Sequence, residues 1–188
     1  MRRLLALLML GCCSGAVAGE TVMVCYNYGC LSQSEVLYSE AQLRQLSALL
    51  DDAHSAAHER ALLGTAIGWM LGWAGQQSPI SADRGGNFDD DAVSGRMDCI
   101  DHSTTTTRLL RLLDRHGLLR FHRVMNSVRR TRWLLFEHFS AQIEENAGAE
   151  NGSETKRYMV DSWFVDNGQS AVVMPLERWL AGGDEDEP

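Results

Sequence analysis

Gly95-Arg96-Met97-Asp98-Cys99-Ile100-Asp101 is the stretch at which the chain changes character. Asp98 is a good helix N-cap, and Asp101, three residues on, can return the bond as a capping-box analogue. The helix so started runs from Cys99 to about Arg115, with Gly117 as the C′ residue that closes it. Upstream, apolar residues recur at helical spacing; downstream they alternate or run together as strands. Helices followed by a run of strands predict an α+β fold with an antiparallel sheet. The same reading puts Cys99 in the first helical turn, where N–H groups without intrahelical partners and the positive dipole end favour a thiolate. Asp98 and Asp101 push the other way, so a thiolate there calls for a cationic partner.

Further upstream, Leu43, Leu46, Leu50 and Ala53 mark a helix over 40–53. Leu63, Ala66, Ile67, Met70, Leu71 and Ala74 mark a second over 57–75, whose stripe Trp69 and Trp73 extend into the core. Short strands are expected at 21–26 and 35–39. A Gly- and Asp-rich loop fills 76–97, a length uncommon unless the loop is functional or disordered. Downstream, strands are expected at 118–128, 133–145, 157–165 and 171–174, with Arg129, Arg130 and Arg132 in a loop between two of them. The chain has 188 residues, 45% of them hydrophobic, enough for one domain with a sizeable core. That domain is taken as 19–180, followed by an acidic, frayed tail at 181–188 that carries Asp184-Glu185-Asp186-Glu187.

Seventeen basic residues against 25 acidic give a net charge of −8, the opposite of the basic stripe a nucleic-acid binder needs. The N-terminus places Met1-Arg2-Arg3 before the apolar run Leu4 to Leu10 and ends on Ala16-Val17-Ala18, the anatomy of a bacterial-type secretory signal. The run falls short of the roughly 20 residues of a membrane-spanning helix. Cleavage after Ala18 is expected, giving an exported, periplasmic protein; the alternative is a lipoprotein anchor at Cys12. Cleavage divides the five cysteines, taking Cys12 and Cys13 with the signal. Cys25 and Cys30 flank Asn27 and Gly29, which suit a tight turn, so an oxidising compartment should staple a hairpin over 19–39 with a disulfide. Cys99 is then left alone, as a reactive thiol or as a buried inert one.

The cationic partner is sought among six histidines. His54 and His58 fall on polar helix faces, His116 near a helix end, and His122 in a strand. His102 shares the Cys99 helix, about 300° around from it, near enough to serve only with further support. His138 has the geometric case. Opposed residues in an antiparallel hairpin have a constant index sum. His138 and Asp161 sum to 299, and the midpoint falls inside the loop 146–153. The two side chains should therefore lie side by side, and a carboxylate beside an imidazole fixes its tautomer and stabilises its cation.

Asp98-Cys99-x-Asp101 at a helix start, His138-Phe139-x-Ala141-x-Ile143 in one strand and Tyr158-x-Val160-Asp161-Ser162 in the next resemble the transglutaminase-like superfamily. The pattern is most similar to its bacterial transglutaminase-like cysteine proteinases, over roughly Gly95 to Asn167. The resemblance implies a papain-like core with Cys99 as nucleophile, His138 as general base and acid, and Asp161 as the group that orients it. It implies a hydrolase or acyltransferase acting on peptide or protein amides through an acyl-enzyme, with no cofactor. The alternative is a catalytically inactive envelope binding module of the same fold.

Three weaker signals remain. Asn87, Gln76 and Gln77 are candidates for an oxyanion donor beside the Cys99 N–H. Asn87-x-Asp89-x-Asp91, with Asp98 at the twelfth position, echoes a calcium loop, although Ala92 stands where its sharp turn demands Gly. Thr104 to Thr107 form a polar helix face over which a substrate could lie.

Overall fold

The computed structural model describes residues 19–88, 90–132, 136–146 and 155–183. The expected signal peptide with Cys12, Asp89, the 147–154 turn and the run Asp184 to Glu187 lie outside the described residues.

The chain opens with an antiparallel hairpin, β1 (Glu20–Tyr26) and β2 (Ser32–Tyr38), paired from Glu20 opposite Tyr38 to Tyr26 opposite Ser32. Its connection is unusual. Asn27, Tyr28, Gly29 and Cys30 all have left-handed backbone angles, with φ of 66, 62, 63 and 59°. For a non-glycine residue that conformation costs about 1–2 kcal/mol, so three of the four need support from outside. The expected disulfide between Cys25 and Cys30 is present and closes this turn, with 4.7 Å between the Cα atoms.

Helix α1 (Glu40–Asp51) starts on a capping box between Ser39 and Gln42, and α2 (Ala56–Gly75) on Ser55, whose side chain accepts from His58 N. Helix α3 (Cys99–Arg115) begins on Cys99 as expected. Its leucines 109, 110, 112 and 113 are buried among Leu63, Ile67 and Met70 of α2 and the apolar face of the sheet. The hairpin residues Val22, Val24 and Val36 belong to the same core. α3 is thus the central helix, with the hairpin on one side and the sheet on the other.

The sheet is antiparallel, ordered β3 (His122–Val124), β5 (Phe136–Glu145), β6 (Arg157–Asp161), β7 (Val172–Pro175). β4 (Val128–Arg132) pairs with β5 further along the edge that β3 occupies. The single strand expected over 118–128 is therefore two. His122 stands opposite Glu145 but Val128 opposite Ser140, so the index sum rises from 267 to 268 across the break. One extra residue between them makes a bulge. Arg129, Arg130 and Arg132 sit in a strand, not in the loop the sequence suggested.

Tyr158 and Val160 of β6 face the helical core, whereas Met159 packs with Met174 and Trp179 on the far face. That second cluster exists because α4 (Leu176–Leu180), unforeseen from the sequence, folds back after Pro175 and buries Trp179 completely. Trp69, expected in the core, is 39% exposed. α2 also carries a groove. Gly64, Gly68 and Gly72, four residues apart, face the 168–171 segment between β6 and β7. A Cβ at Gly68 would meet the Gln169 carbonyl oxygen at 2.5 Å, and one at Gly64 the Ala171 carbonyl oxygen at 2.6 Å. The α+β class with an antiparallel sheet thus stands.

Candidate active site

Cys99 occupies the first position of α3, half-buried, with its sulfur 4.0 Å from the Glu137 carbonyl oxygen. Asp98 and Asp101 form the capping box that starts the helix: Asp98 Oδ1 accepts from Asp101 N at 2.9 Å, and Asp101 Oδ2 from Asp98 N at 3.2 Å. The peptide after Glu137 belongs to His138, so the helix start and β5 meet where the candidate nucleophile and base lie.

His138 Nε2 is 2.7 Å from Asp161 Oδ2. The pair forms, but not by the register read from the sequence. Ala141 stands opposite Val160 and Gln142 opposite Met159, an index sum of 301 rather than 299. His138 is therefore diagonal to Asp161, not directly across from it. The slip is two residues, an even number, and so leaves both side chains on one face of the sheet. A diagonal neighbour is within reach of a side chain as long as histidine. β6 also stops at Asp161, four residues short of the expected end. There Asp161 Oδ1 turns back to accept from Trp163 N at 3.0 Å. Both oxygens of this 2% exposed carboxylate are thus satisfied.

An ionised carboxylate only accepts, so Nε2 of His138 carries the hydrogen in their bond. Nδ1 is then the nitrogen that Asp161 does not engage, and Cys99 lies near enough to act on the charge of the ring. Burial pushes the imidazole down. The bond to Asp161, the nearby Cys99 sulfur and the charges of both outweigh that and raise it from its ordinary 6.5 to about 9. Three rings, Trp163, Phe164 and Trp179, surround it at centroid distances of 5.0, 5.5 and 5.8 Å. His138 also lines a cleft of about 430 Å³, walled chiefly by Phe88, Phe136, Trp163 and Phe164.

The other sequence candidates lie elsewhere. Gln77 exchanges hydrogen bonds with the Leu37 backbone on β2, and Gln76 is the C-cap of α2. The Asn87 side-chain nitrogen donates to Asp90 Oδ1 at 2.6 Å. None of the three joins the Cys99–His138 pair. Of the calcium candidates, Asp89 lies outside the described residues and Asn87 is engaged with Asp90. Asp98 is occupied at both oxygens, by Asp101 N and by Gly29 N. The only cluster of three potential His, Cys, Asp or Glu ligands among the described residues is Cys25, Cys30 and Asp101, whose two sulfurs are bonded to each other.

Thr104 to Thr107 do not form an open face. Thr105, Thr106 and Thr107 are buried, and Thr105 Oγ1 accepts from Cys25 N. Thr106 meets Ser162 Oγ at 3.0 Å, and Ser162 meets His102 Nδ1 at 2.8 Å. His102 Nε2 in turn lies 3.0 Å from Asp83 Oδ2, and Asp83 Oδ1 accepts from Met97 N. This buried chain escaped sequence reasoning. It runs from the residue after Asp161 to a residue two before Cys99, and so braces both ends of the site. A serine beside Asp161 and a histidine one turn into α3 were its only traces in the sequence.

No family model, no curated protein and no solved structure matches the chain.

Proposed function

We propose that the chain is an exported, periplasmic cysteine hydrolase or acyltransferase of transglutaminase-like, papain-like kind, acting on peptide or protein amides. The observation that carries this reading is the His138–Asp161 pair, 2.7 Å apart, with the Cys99 sulfur at the start of α3 4.0 Å from the carbonyl oxygen of the residue before His138. The three side chains come from α3, β5 and β6. Their arrangement sets a nucleophile beside a base and orients the base by a third group.

In this mechanism the Cys99 sulfur, its proton resident on His138 Nδ1, attacks the amide carbonyl carbon. The carbonyl oxygen takes the negative charge. The Cys99 backbone N–H, one of the first four of a helix and so without an intrahelical partner, donates to it. Collapse of the tetrahedral intermediate breaks the C–N bond, and Nδ1 delivers its proton to the leaving amine. The thioester is then attacked by water or by a second amine, whose proton returns to Nδ1, and the sulfur leaves. Asp161 holds the ring in one orientation throughout and stabilises its cation. The ring-lined cleft beside His138 receives an apolar part of the substrate and keeps water from the ring.

The test is covalent capture on the intact chain. A peptidyl acyloxymethyl ketone should label Cys99, read by peptide mass spectrometry, and Cys99→Ala should abolish the label. His138→Ala should slow iodoacetamide labelling of Cys99 at pH 7 by about 10-fold, as the thiol returns toward its ordinary pKa of about 8.5 and loses thiolate. If His138→Ala leaves the rate and pH profile of Cys99 labelling unchanged, the catalytic reading fails and the inactive binding module takes its place.

A further inference from the structure

The stapled turn at the tip of the hairpin and the start of α3 are far apart in sequence and tightly joined in space. Four consecutive backbone N–H groups of the turn make the join. Asn27 N donates to the Arg96 carbonyl oxygen at 2.8 Å and Tyr28 N to Asp101 Oδ2 at 2.8 Å. Gly29 N donates to Asp98 Oδ2 at 2.9 Å, and Cys30 N to Asp101 Oδ1 at 2.6 Å. The Asn27 side-chain oxygen adds a fifth contact, accepting from Gly95 N at 2.8 Å. The run of left-handed residues aims successive N–H groups toward the start of α3, so the grip depends on the backbone angles of residues 27–30. Non-glycine residues hold those angles only under constraint, and the Cys25–Cys30 bond supplies a constraint across this turn.

The two carboxylates serve twice. Asp98 and Asp101 cap α3 with one set of bonds and receive the turn with another. Cys99 lies between them. Asp101 is wholly buried, so a loosened turn would leave its charge without partners, and the helix start would have to rearrange to reach water.

We propose that the Cys25–Cys30 disulfide is a positioning element for Cys99: it holds the left-handed turn that grips Asp98 and Asp101, and its reduction uncouples Cys99 from His138. The proposal rests on Cys99 acting as the nucleophile. In the reductive step a dithiol supplies two electrons and two protons. The Cys25–Cys30 bond breaks to two thiols, and the reductant closes to its own disulfide. The consequence inverts the habit of thiol enzymes, because reductant that protects Cys99 also dismantles its support.

The experiment compares the oxidised full-length chain with the chain reduced by dithiothreitol and then freed of it. Iodoacetamide labelling of Cys99 is followed by peptide mass spectrometry across pH 5–10, with near-ultraviolet circular dichroism as the control for folding. The expected result is a labelling rate about 10-fold lower at pH 7 in the folded, reduced chain. Its pH profile should move toward that of His138→Ala, and both should recover on reoxidation. Asp101→Asn in the oxidised chain gives an independent arm. It keeps the disulfide, replaces a carboxylate oxygen with an amide nitrogen that cannot accept, and should show the same altered profile. An unchanged rate and profile in both the reduced chain and Asp101→Asn overturns the proposal and leaves the triad intact. Failure of the triad itself shows separately, as an oxidised wild type already indistinguishable from His138→Ala.

Discussion

His138–Asp161 and His122–Glu59 are nearly the same object chemically, an imidazole against a carboxylate at 2.7 and 2.8 Å, and the protein uses them in opposite ways. The His122–Glu59 pair is sealed, with both side chains fully buried. Glu59 also accepts from Arg120 N and Phe121 N, and the second nitrogen of His122 meets Arg60 at 3.2 Å. Every lone pair is committed, so the pair fastens α2 to the sheet and has no site left for chemistry. His138 keeps one edge open. Its side chain is 13% exposed, Cys99 lies near enough to act on its charge, and its ring lines a cleft. What separates a fastening from a candidate catalyst is whether the rest of the ring is sealed or opens on a cleft.

The largest expected effects lie where this contrast can be broken outright. His138→Ala should leave the fold in place and cost Cys99 about 10-fold in labelling rate at pH 7. Glu59→Ala should do the reverse. It strands His122 and two backbone N–H groups in the interior and should lower stability by about 3–5 kcal/mol in urea unfolding. Among molecules still folded, the Cys99 rate should match wild type. The isosteric changes should sharpen the same division with smaller effects. Asp161→Asn should reduce Cys99 labelling at pH 7 by about 3-fold, a smaller loss of thiolate than removing the ring, with little change in the unfolding midpoint. Glu59→Gln should cost about 1–3 kcal/mol, because one amide oxygen cannot replace the full set of acceptors.

The subtlest test is the sign of the pH dependence. His138, raised from 6.5 to about 9, holds its proton more tightly folded than unfolded. Its contribution to stability is complete below pH 6.5 and is lost as pH rises through about 9. For Glu59, burial alone would raise the carboxyl, but the His122 bond and the two N–H groups bring it below its ordinary 4.5. That contribution is present above pH 4.5 and disappears as pH falls through the lowered folded value. Unfolding free energies of wild type, His138→Ala and Glu59→Ala between about pH 3 and 10 should therefore diverge on opposite flanks. Loss on the same flank would mean that the two pairs are not distinguished by their surroundings.

The start of α3 was legible because its signal is local. Asp98 and Asp101 lie within one turn of Cys99, and the capping box depends on little beyond them. The His138–Asp161 pairing was legible to within its parity: an even slip moved the partner without moving the face. What stayed hidden depends on distant segments. The bulge between β3 and β4 is fixed by β5, whose partners on either side of it differ by one residue in register. α4 exists because Trp179 and Met174 cover Met159, three side chains that no periodicity connects. The Asp83–His102–Ser162 chain joins a loop, a helix and the end of a strand, and no spacing in the sequence marks it. Gln76 and Gln77 were drawn in by residue type alone, and their place at the end of α2 commits Gln77 to the β2 backbone.

The groove along α2 has a consequence in time. Gly68 and the Gln169 carbonyl that fills the space above it are separated by about 100 positions. A ribosome delivers the chain from its N-terminus, so α2 is complete long before its filling segment exists. Until then three glycines leave a length of helix unpacked and poor in helix propensity. Closing so long a loop is an entropically late event in folding. The 168–171 segment follows β6, the strand that ends on Asp161, and it leads into β7 and α4. Its seating in the groove is therefore a clock: a segment made about 100 residues later locks the first long helix.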